Sequence, residues 1–309
     1  MLKIENLSKS YGKFKAVDNF SLTVNDGEIF GFVGPNGAGK TTIMKIIAGL
    51  LNADAGNISI NGENIFNNIS MLKQNIGYMP DFFGVYDNLT VIEYLQFYSS
   101  TYGIANDVAL SRANELLELV ELQNKAQEYV DSLSRGMKQR LCLARTLVHN
   151  PDIIILDEPA SGLDPVTRHK LKQILKNLCE KGKTIIISSH ILTELAEICS
   201  GICIIEKGKV IMNGNIEEIL YKVDASNPLI IHILNNVDKA VSILKKNQYI
   251  RTISVDAMNI MVTFIGRREE EADLLKELIT NDVLIVSFKR EQSNLESLFL
   301  KIIENGSEF

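Results

Sequence analysis

The chain has 309 residues, 46% of them hydrophobic, and a formal net charge of −6. That length suits one domain of about 200 residues plus a smaller one, and the acidic balance excludes a bulk electrostatic pull toward nucleic acid or anionic lipid. The four cysteines (Cys142, Cys179, Cys199 and Cys203) form no C-x-x-C pair, so buried free thiols in a reducing compartment are expected over a metal site. No run of about eighteen apolar residues occurs, and the N-terminus carries no apolar leader. The chain is therefore expected to be cytoplasmic by itself, reaching a membrane only through a protein partner.

Residues 2–60 read as short strands. "SLTV" leads to Asp26-Gly27, a hairpin signal, and "EIFGFV" then runs into a glycine-rich loop. Beyond the loop, Ile43, Ile46, Ile47 and Leu50 recur at helical spacing, giving strand, loop, helix. The loop itself, Gly34-Pro35-Asn36-Gly37-Ala38-Gly39-Lys40-Thr41, fits G-x-x-x-x-G-K-[ST]. Its glycines let backbone N–H groups curl around phosphate oxygens and the helix start adds positive potential. Lys40 can reach β and γ phosphates, and the Thr41 hydroxyl can ligate Mg²⁺.

A helical stretch follows. Thr90 with Glu93 three residues on forms a capping box, ahead of a stripe of Val91, Tyr94, Leu95 and Tyr98. A second helix carries Leu110, Ala113, Leu117 and Val120. Within "DSLSRGMKQRLCLAR", residues 131–145, a Ser-Arg-Gly turn then opens another helix.

From 150 onward buried strands alternate with helices: "DIIIL", a helix with Asp164 as N-cap and Pro165 as its first residue, "TIIIS", a short helix, "CIIE" and "KVIMN". Such alternation implies a largely parallel sheet covered on both faces, with the helical block at about 82–149 inserted into it. "IIILDEP", residues 153–159, ends an apolar strand in two acids. Asp157 there is placed to hold Mg²⁺ through water, and Glu158 to polarise a water for attack on a γ phosphate; the bland alternative is an ordinary acidic turn. His190 directly follows "TIIISS", either as a structural histidine or as a γ-phosphate sensor at the same sheet edge. Tyr11, in "KSYGKFKAV", reads as a surface aromatic or as a platform for adenine.

A composition break falls at "YKVDASNPL", residues 221–229. Beyond it the pattern gives strand 229–234, helix 237–246, strands 250–255 and 259–264, helix 269–280 and strand 283–288, a β-α-β-β-α-β order that suggests a small ferredoxin-like α+β domain. A final helix would carry Leu295, Leu298, Phe299 and Ile302 on one face. No cluster of catalytic residue types occurs in this part.

These motifs in this order, with "LSRGM" at 133–137 and "SGLD" at 161–164, resemble the ATPase subunit of ATP-binding cassette (ABC) transporters over about residues 2–222. The resemblance implies an α/β P-loop core with a mixed sheet and an inserted helical subdomain, so the expected organisation is an ATPase domain at 1–222 and an accessory α+β domain at 223–309. It implies ATP and Mg²⁺ as ligands. Tyr11 would stack on adenine, while Gly34, Asn36, Gly37, Gly39, Lys40, Thr41 and Thr42 would hold the phosphates. Thr41 and Asp157 would hold the metal, and Glu158, His190 and Lys40 would be catalytic.

In this family two ATPase domains pack head to tail, so Ser134 and Gly136 at the positive end of their helix would close over a partner's γ phosphate, with Asp164 in the adjoining loop. The partners implied are a second ATPase subunit, identical or different, and a transmembrane permease on a separate chain, which would hold the protein peripherally at the inner face of the membrane. No nucleic acid partner is expected. Arg135 and Met137 depart from the commonest signature, LSGGQ, and together with the C-terminal domain they resemble exporter ATPases. The alternative is a soluble ABC ATPase acting as a nucleotide-dependent clamp. Asp81 stands where the family usually has a Gln whose carbonyl ligates Mg²⁺; Asp has about 1.5 Å less reach, which leaves direct ligation, a bridging water or a mere turn cap open.

Overall fold

The computed structural model describes residues 1–64, 69–82, 84, 86, 88–216, 218–219 and 228–290, with backbone only at 69–71. Strand β1 (Leu2–Tyr11) turns at Gly12, φ 61°, into β2 (Phe14–Val24), which sets Tyr11 opposite Phe14. The hairpin expected at Asp26-Gly27 does not form. Gly27 has the positive φ of a reversal, 68°, but β3 (Ile29–Val33) pairs in a different sheet from β2. Burial explains the choice: all five residues of β3 are buried, whereas β2 alternates between buried and exposed positions. A strand without a polar face belongs inside a covered parallel sheet.

Helix α1 (Lys40–Ile47) follows β3. Ile43, Ile46 and Ile47 are fully buried, each side chain contributing about 1.5–3 kcal/mol. Leu50 does not continue the stripe, because the helix stops at Ala48 and Gly49 turns left-handed at φ 69°, leaving Leu50 62% exposed. Strands β4 (Ala55–Ile60) and β5 (Glu63–Asn64) complete an antiparallel sheet of order β2-β1-β4-β5. One apolar cluster joins that sheet to α1 and the central sheet, through Leu2, Phe20, Ile58, Met44 and Ile186.

After α2 (Ile69–Asn75) and β6 (Ile76–Met79) come the helices of the insert, α3 (Val91–Thr101), α4 (Asn106–Leu119) and α5 (Arg135–Thr146). Thr90 and Glu93 make the expected reciprocal cap on α3. On α4 the buried face is Ala109, Ala113, Leu116 and Leu117, and Leu110 lies outside it. A stripe counted from Leu110 starts one position away from the true face.

The remaining strands are β7 (Ile153–Leu156), β8 (Thr184–Ser189), β9 (Gly201–Glu206) and β10 (Lys209–Asn215), with α6 (Pro165–Glu180) and α7 (Leu192–Ala196) between them. The central sheet has order β10-β9-β3-β8-β7-β6, parallel except for β10 at its edge. This is the mixed sheet that the resemblance implies. In it β3, β8, β7 and β6 are neighbours, so the loops after these four strands share one sheet edge, where open α/β sheets bind ligands.

The chain divides into two compact units, Met1–Asn215 and Ile216–Phe309. In the second, β11 (Leu229–Ile233), α8 (Val237–Lys246), β12 (Ile250–Asp256), β13 (Asn259–Phe264), α9 (Arg268–Thr280) and β14 (Ile285–Arg290) follow the expected β-α-β-β-α-β order. The sheet is antiparallel, of order β12-β13-β11-β14, and its core holds Ile231, Leu244, Val262, Phe264 and Leu274. Most of the composition break, residues 221–227, and the helix expected around Leu295, Leu298, Phe299 and Ile302 lie outside the described residues.

Candidate functional site

The loop after β3 has a shape that only its glycines permit. A Cβ on Gly34 would sit 2.3 Å from the Ile205 carbonyl oxygen, and one on Gly39 would sit 2.4 Å from that of Ala16. Gly37 and Gly39 also take φ of 82° and 105°, where L side chains are strained. Gly39 is the N-cap of α1 and offers no side chain to its first N–H groups, so those donors stay available to an anion. Lys40 is 6% exposed and donates from Nζ to the carbonyls of Gly34 (2.6 Å) and Pro35 (3.3 Å). Burial lowers its pKa, opposed by the Glu158 carboxylate 3.6 Å away.

The Thr41 hydroxyl donates to Asp157 Oδ2 at 2.7 Å. Asp157, at the end of β7, is 1% exposed, and its Oδ1 accepts from Ser188 Oγ at 2.7 Å. Ser188 Oγ in turn accepts the Glu158 N–H at 2.8 Å. Glu158 holds a left-handed backbone, φ 48°, a conformation that costs about 1–3 kcal/mol in a residue other than glycine. Its Oε2 lies 2.9 Å from His190 Nδ1, and its Oε1 is buried with no hydrogen-bond partner among the described residues. Lys40 Nζ stands 3.6 Å from that oxygen, beyond hydrogen-bond distance, so the oxygen can still accept from a donor.

These groups surround an open cavity of about 220 Å³ lined by Tyr11, Phe14, Asn36, Gly37, Gly39, Lys40, Thr41, Thr42, Asp81 and Glu158. Gly34 joins it through Lys40, Asp157 through Thr41, and His190 through Glu158. Asp81 follows β6 at the cavity wall, and no hydrogen bond of its carboxylate occurs among the described residues. Lost hydration, then the Asp157 and Glu158 carboxylates, push its pKa up, opposed by the Arg135 and His190 charges. The residues suit a nucleoside triphosphate and Mg²⁺. A hydroxyl and a buried carboxylate in contact are hard oxygen ligands, and no group of three or more His, Cys, Asp or Glu residues fit for a metal exists among the described residues. An ion so held takes its other ligands from phosphate and water, as Mg²⁺ does.

Ser134, Gly136 and Asp164 do not line this cavity. Ser134 caps α5, its hydroxyl accepting the Met137 N–H at 3.4 Å. A Cβ on Gly136 would meet Thr167 Cγ2 at 2.9 Å. The Asp164 carboxylate is taken up by its own helix, accepting from the Val166 and Thr167 N–H groups at 3.0 Å and the Thr167 hydroxyl at 2.6 Å.

Two contributors were missed in the sequence. Phe14 lines the cavity opposite Tyr11, and the signal was available as a second aromatic three residues on, across a glycine turn. Ser188 ties Asp157 to Glu158, and nothing in "TIIISS" distinguishes it from its neighbour Ser189.

A family model described as ABC transporter matches residues 17–161. The chain is 32% identical over 304 residues to the linearmycin resistance ATP-binding protein LnrL of Bacillus subtilis (strain 168), covering 98% of each chain. It is 34% identical over 308 residues to the bacitracin transport ATP-binding protein BcrA of Bacillus licheniformis, covering 99% of this chain and 98% of that one. The Nod factor export ATP-binding protein I of Burkholderia orbicola (strain AU 1054) matches at 41% identity over 213 residues, 69% of this chain and 70% of the other. Among solved structures, an ATP-binding subunit of an ABC transporter superposes with TM-score 0.65 at 30% identity, over 72% of this chain and 92% of that one. A dimeric ATP-binding cassette in a post-hydrolysis state with ADP and Pi superposes with TM-score 0.64 at 29% identity, over 70% and 99%.

Proposed function

Because the chain belongs to the ATP-binding subunits of ABC transporters and is an ATPase of that family, we propose that it drives an exporter, as a head-to-tail dimer on a separate transmembrane permease. The name of the Nod factor export relative supports outward transport, and those of the linearmycin resistance and bacitracin transport relatives are compatible with it. No helix among the described residues is long and apolar enough to cross a membrane, so a permease would supply the spanning part and hold this subunit at the inner face. The relatives matched over 98% of their length also span the region of the second unit, which fits a regulatory or dimer-stabilising accessory role for it.

In this reading Lys40 exchanges the Gly34 and Pro35 carbonyls for the β and γ phosphates, and the loop N–H groups cradle the same oxygens. Mg²⁺, held by Thr41 and Asp157, would neutralise phosphate charge. Tyr11 stacks on the adenine. Glu158, with Oε1 facing the Lys40 ammonium but making no hydrogen bond and Oε2 fixed by His190, accepts the proton of the attacking water as the bond from the γ phosphorus to the leaving ADP oxygen breaks. Ser134 and Gly136 of a second copy close the site from outside, with the Asp164 turn beside them. Asp81 stays short of the metal until a permease presses its loop inward, which makes the isolated subunit slow.

The observation that carries this reading is the run Thr41–Asp157–Ser188–Glu158–His190, contributed by adjacent parallel strands and the phosphate loop. Glu158→Gln keeps the shape but cannot accept the proton, so it should bind MgATP, stop turnover and accumulate as a dimer on size exclusion. A monomer peak with normal hydrolysis would sink both the base and the sandwich.

A further inference from the structure

A buried hydroxyl close to the phosphate site is left without a partner. Tyr78, on β6, packs against the apolar cluster shared by α1 and the central sheet, and its Oη is buried with no hydrogen bond among the described residues. An unpaired hydroxyl taken out of water destabilises a fold, and a phenylalanine would pack the same ring without that loss. The ring therefore accounts for the packing, and the hydroxyl needs a reason of its own.

The sheet register brings that hydroxyl to the Asp157 carboxylate. Tyr78 pairs with Ile155 on β7, and Ile155 with Ile186 on β8, so the three side chains share the sheet face that packs on α1. Side chains alternate along a strand, which puts Asp157 and Ser188, each two residues on, at that same face. The Asp157 N–H donates to the Met79 carbonyl at 2.9 Å, so β6 and β7 still run side by side there. Asp157 is thus a diagonal neighbour of Tyr78, at a spacing that an aromatic side chain spans. Burial, then the Asp157 carboxylate and the Asp81 charge, push the phenol's pKa up, as expected of a hydroxyl set among acids. Asp157 can accept it. Its Oδ1 takes the Ser188 hydroxyl and its Oδ2 the Thr41 hydroxyl, which leaves each oxygen a second lone pair.

We propose that Tyr78 is a positioning residue of the metal site: its hydroxyl is the third donor to Asp157, beside those of Thr41 and Ser188, and holds the carboxylate in place when Thr41 and Asp157 take up a divalent cation. Groups behind a metal's ligands orient them and set its affinity. The ring serves the core and the hydroxyl serves the site, so the two roles of one side chain separate into different measurements. This rests on the reading of Thr41 and Asp157 as the residues that hold Mg²⁺. If Tyr78 were only a core residue, trimming its hydroxyl would relieve the fold and leave cation binding as it was.

Tyr78→Phe removes the hydroxyl and keeps the ring. The full chain and this variant are compared by melting temperature without ligand and by binding of a fluorescent ATP analogue in excess EDTA. Mn²⁺ is then titrated by electron paramagnetic resonance, with protein in excess over a non-hydrolysable ATP analogue. The melting temperature should equal or exceed the parent's, binding in EDTA should stay within about twofold, and half-saturation by Mn²⁺ should rise about tenfold. An unchanged or lower Mn²⁺ half-saturation overturns the proposal. So does a tenfold loss of binding in EDTA, which marks a packing defect. The same change on an Asp81→Ala chain should still raise the half-saturation about tenfold; loss of the effect there would make Asp81 the hydroxyl's partner and overturn the assignment to Asp157. A parent chain that binds the analogue but takes up no Mn²⁺ removes the metal reading of Thr41 and Asp157, and this proposal with it.

Discussion

Two glycine-bearing turns open helices in this molecule and they are built in opposite ways. At α1 the cap is Gly39, in a left-handed conformation with no capping side chain, and the turn is crowded by Lys40, Asp157, Glu158 and, through Glu158, His190. At α5 the cap is Ser134 with an extended backbone and its own hydroxyl on Met137, and its neighbour Arg135 is committed to Ser161. The first turn leaves its donors open and surrounds them with the groups proposed for hydrolysis. The second has donors and no acid or base of its own. In the proposed dimer a site would combine the two turns from two chains, and the difference teaches which defects should be repairable by mixing.

Gly136→Asp is the strongest break. It sets a carboxylate where the partner's γ phosphate would arrive, so hydrolysis should fall by about two to three orders of magnitude with ATP binding to the single chain retained. Mixed with a Lys40→Ala chain, it should recover activity, because the heterodimer collects both defects in one composite site. No recovery despite ATP-dependent association of the two chains would count against the assignment of the turns to opposite sites.

Making the same change at both turns sharpens the contrast. Gly39→Ala meets both a carbonyl at 2.4 Å and a φ of 105°, and should lower stability by about 1–3 kcal/mol and weaken nucleotide binding. Gly136→Ala meets only a Thr167 methyl at 2.9 Å, and should slow hydrolysis while leaving binding and melting temperature near the parent's. Paired melting curves and binding isotherms decide it, and equal behaviour would erase the distinction.

The smallest effect concerns Asp81, beside the first turn. Asp81→Gln should raise basal hydrolysis a few-fold, about 1 kcal/mol or less in activation free energy, and lower the Mg²⁺ concentration for half activity. Asp81→Ala should do neither. Identical Mg²⁺ curves for the three proteins would leave Asp81 no part in the site.

How legible all this was in the sequence follows the same contrast. The Gly34–Thr41 loop was legible because phosphate chemistry and positive φ leave almost no other residue types, and the parallel core because strands such as "TIIISS" have no polar face. The second unit's strand order was legible from alternation and turn spacing. The Asp26-Gly27 turn was misread as a hairpin because a reversal signal says nothing of which sheet the next strand joins. Leu50 and Leu110 were misplaced because periodicity alone does not mark where a helix ends or which neighbour starts its stripe. The side-chain hold on the Pro159, Ser161 and Leu163 carbonyls was invisible, since its donors, Gln139, Arg135 and Arg168, lie on α5 and α6 and backbone acceptors leave no mark on residue identity.

The resting place of Lys40 has a consequence for selectivity among nucleotides. Its ammonium rests on the Gly34 and Pro35 carbonyls with the Glu158 carboxylate 3.6 Å away, so its hydrogen bonds are already committed inside the protein. A ligand must outbid two carbonyls and a carboxylate before the lysine swings over, and the bid grows with each phosphate it presents. A monophosphate offers one weakly placed charge, whereas a triphosphate reaches the ammonium and the helix start together. In the proposed reading, discrimination by chain length of the polyphosphate would begin at these internal contacts, ahead of any contact with the base.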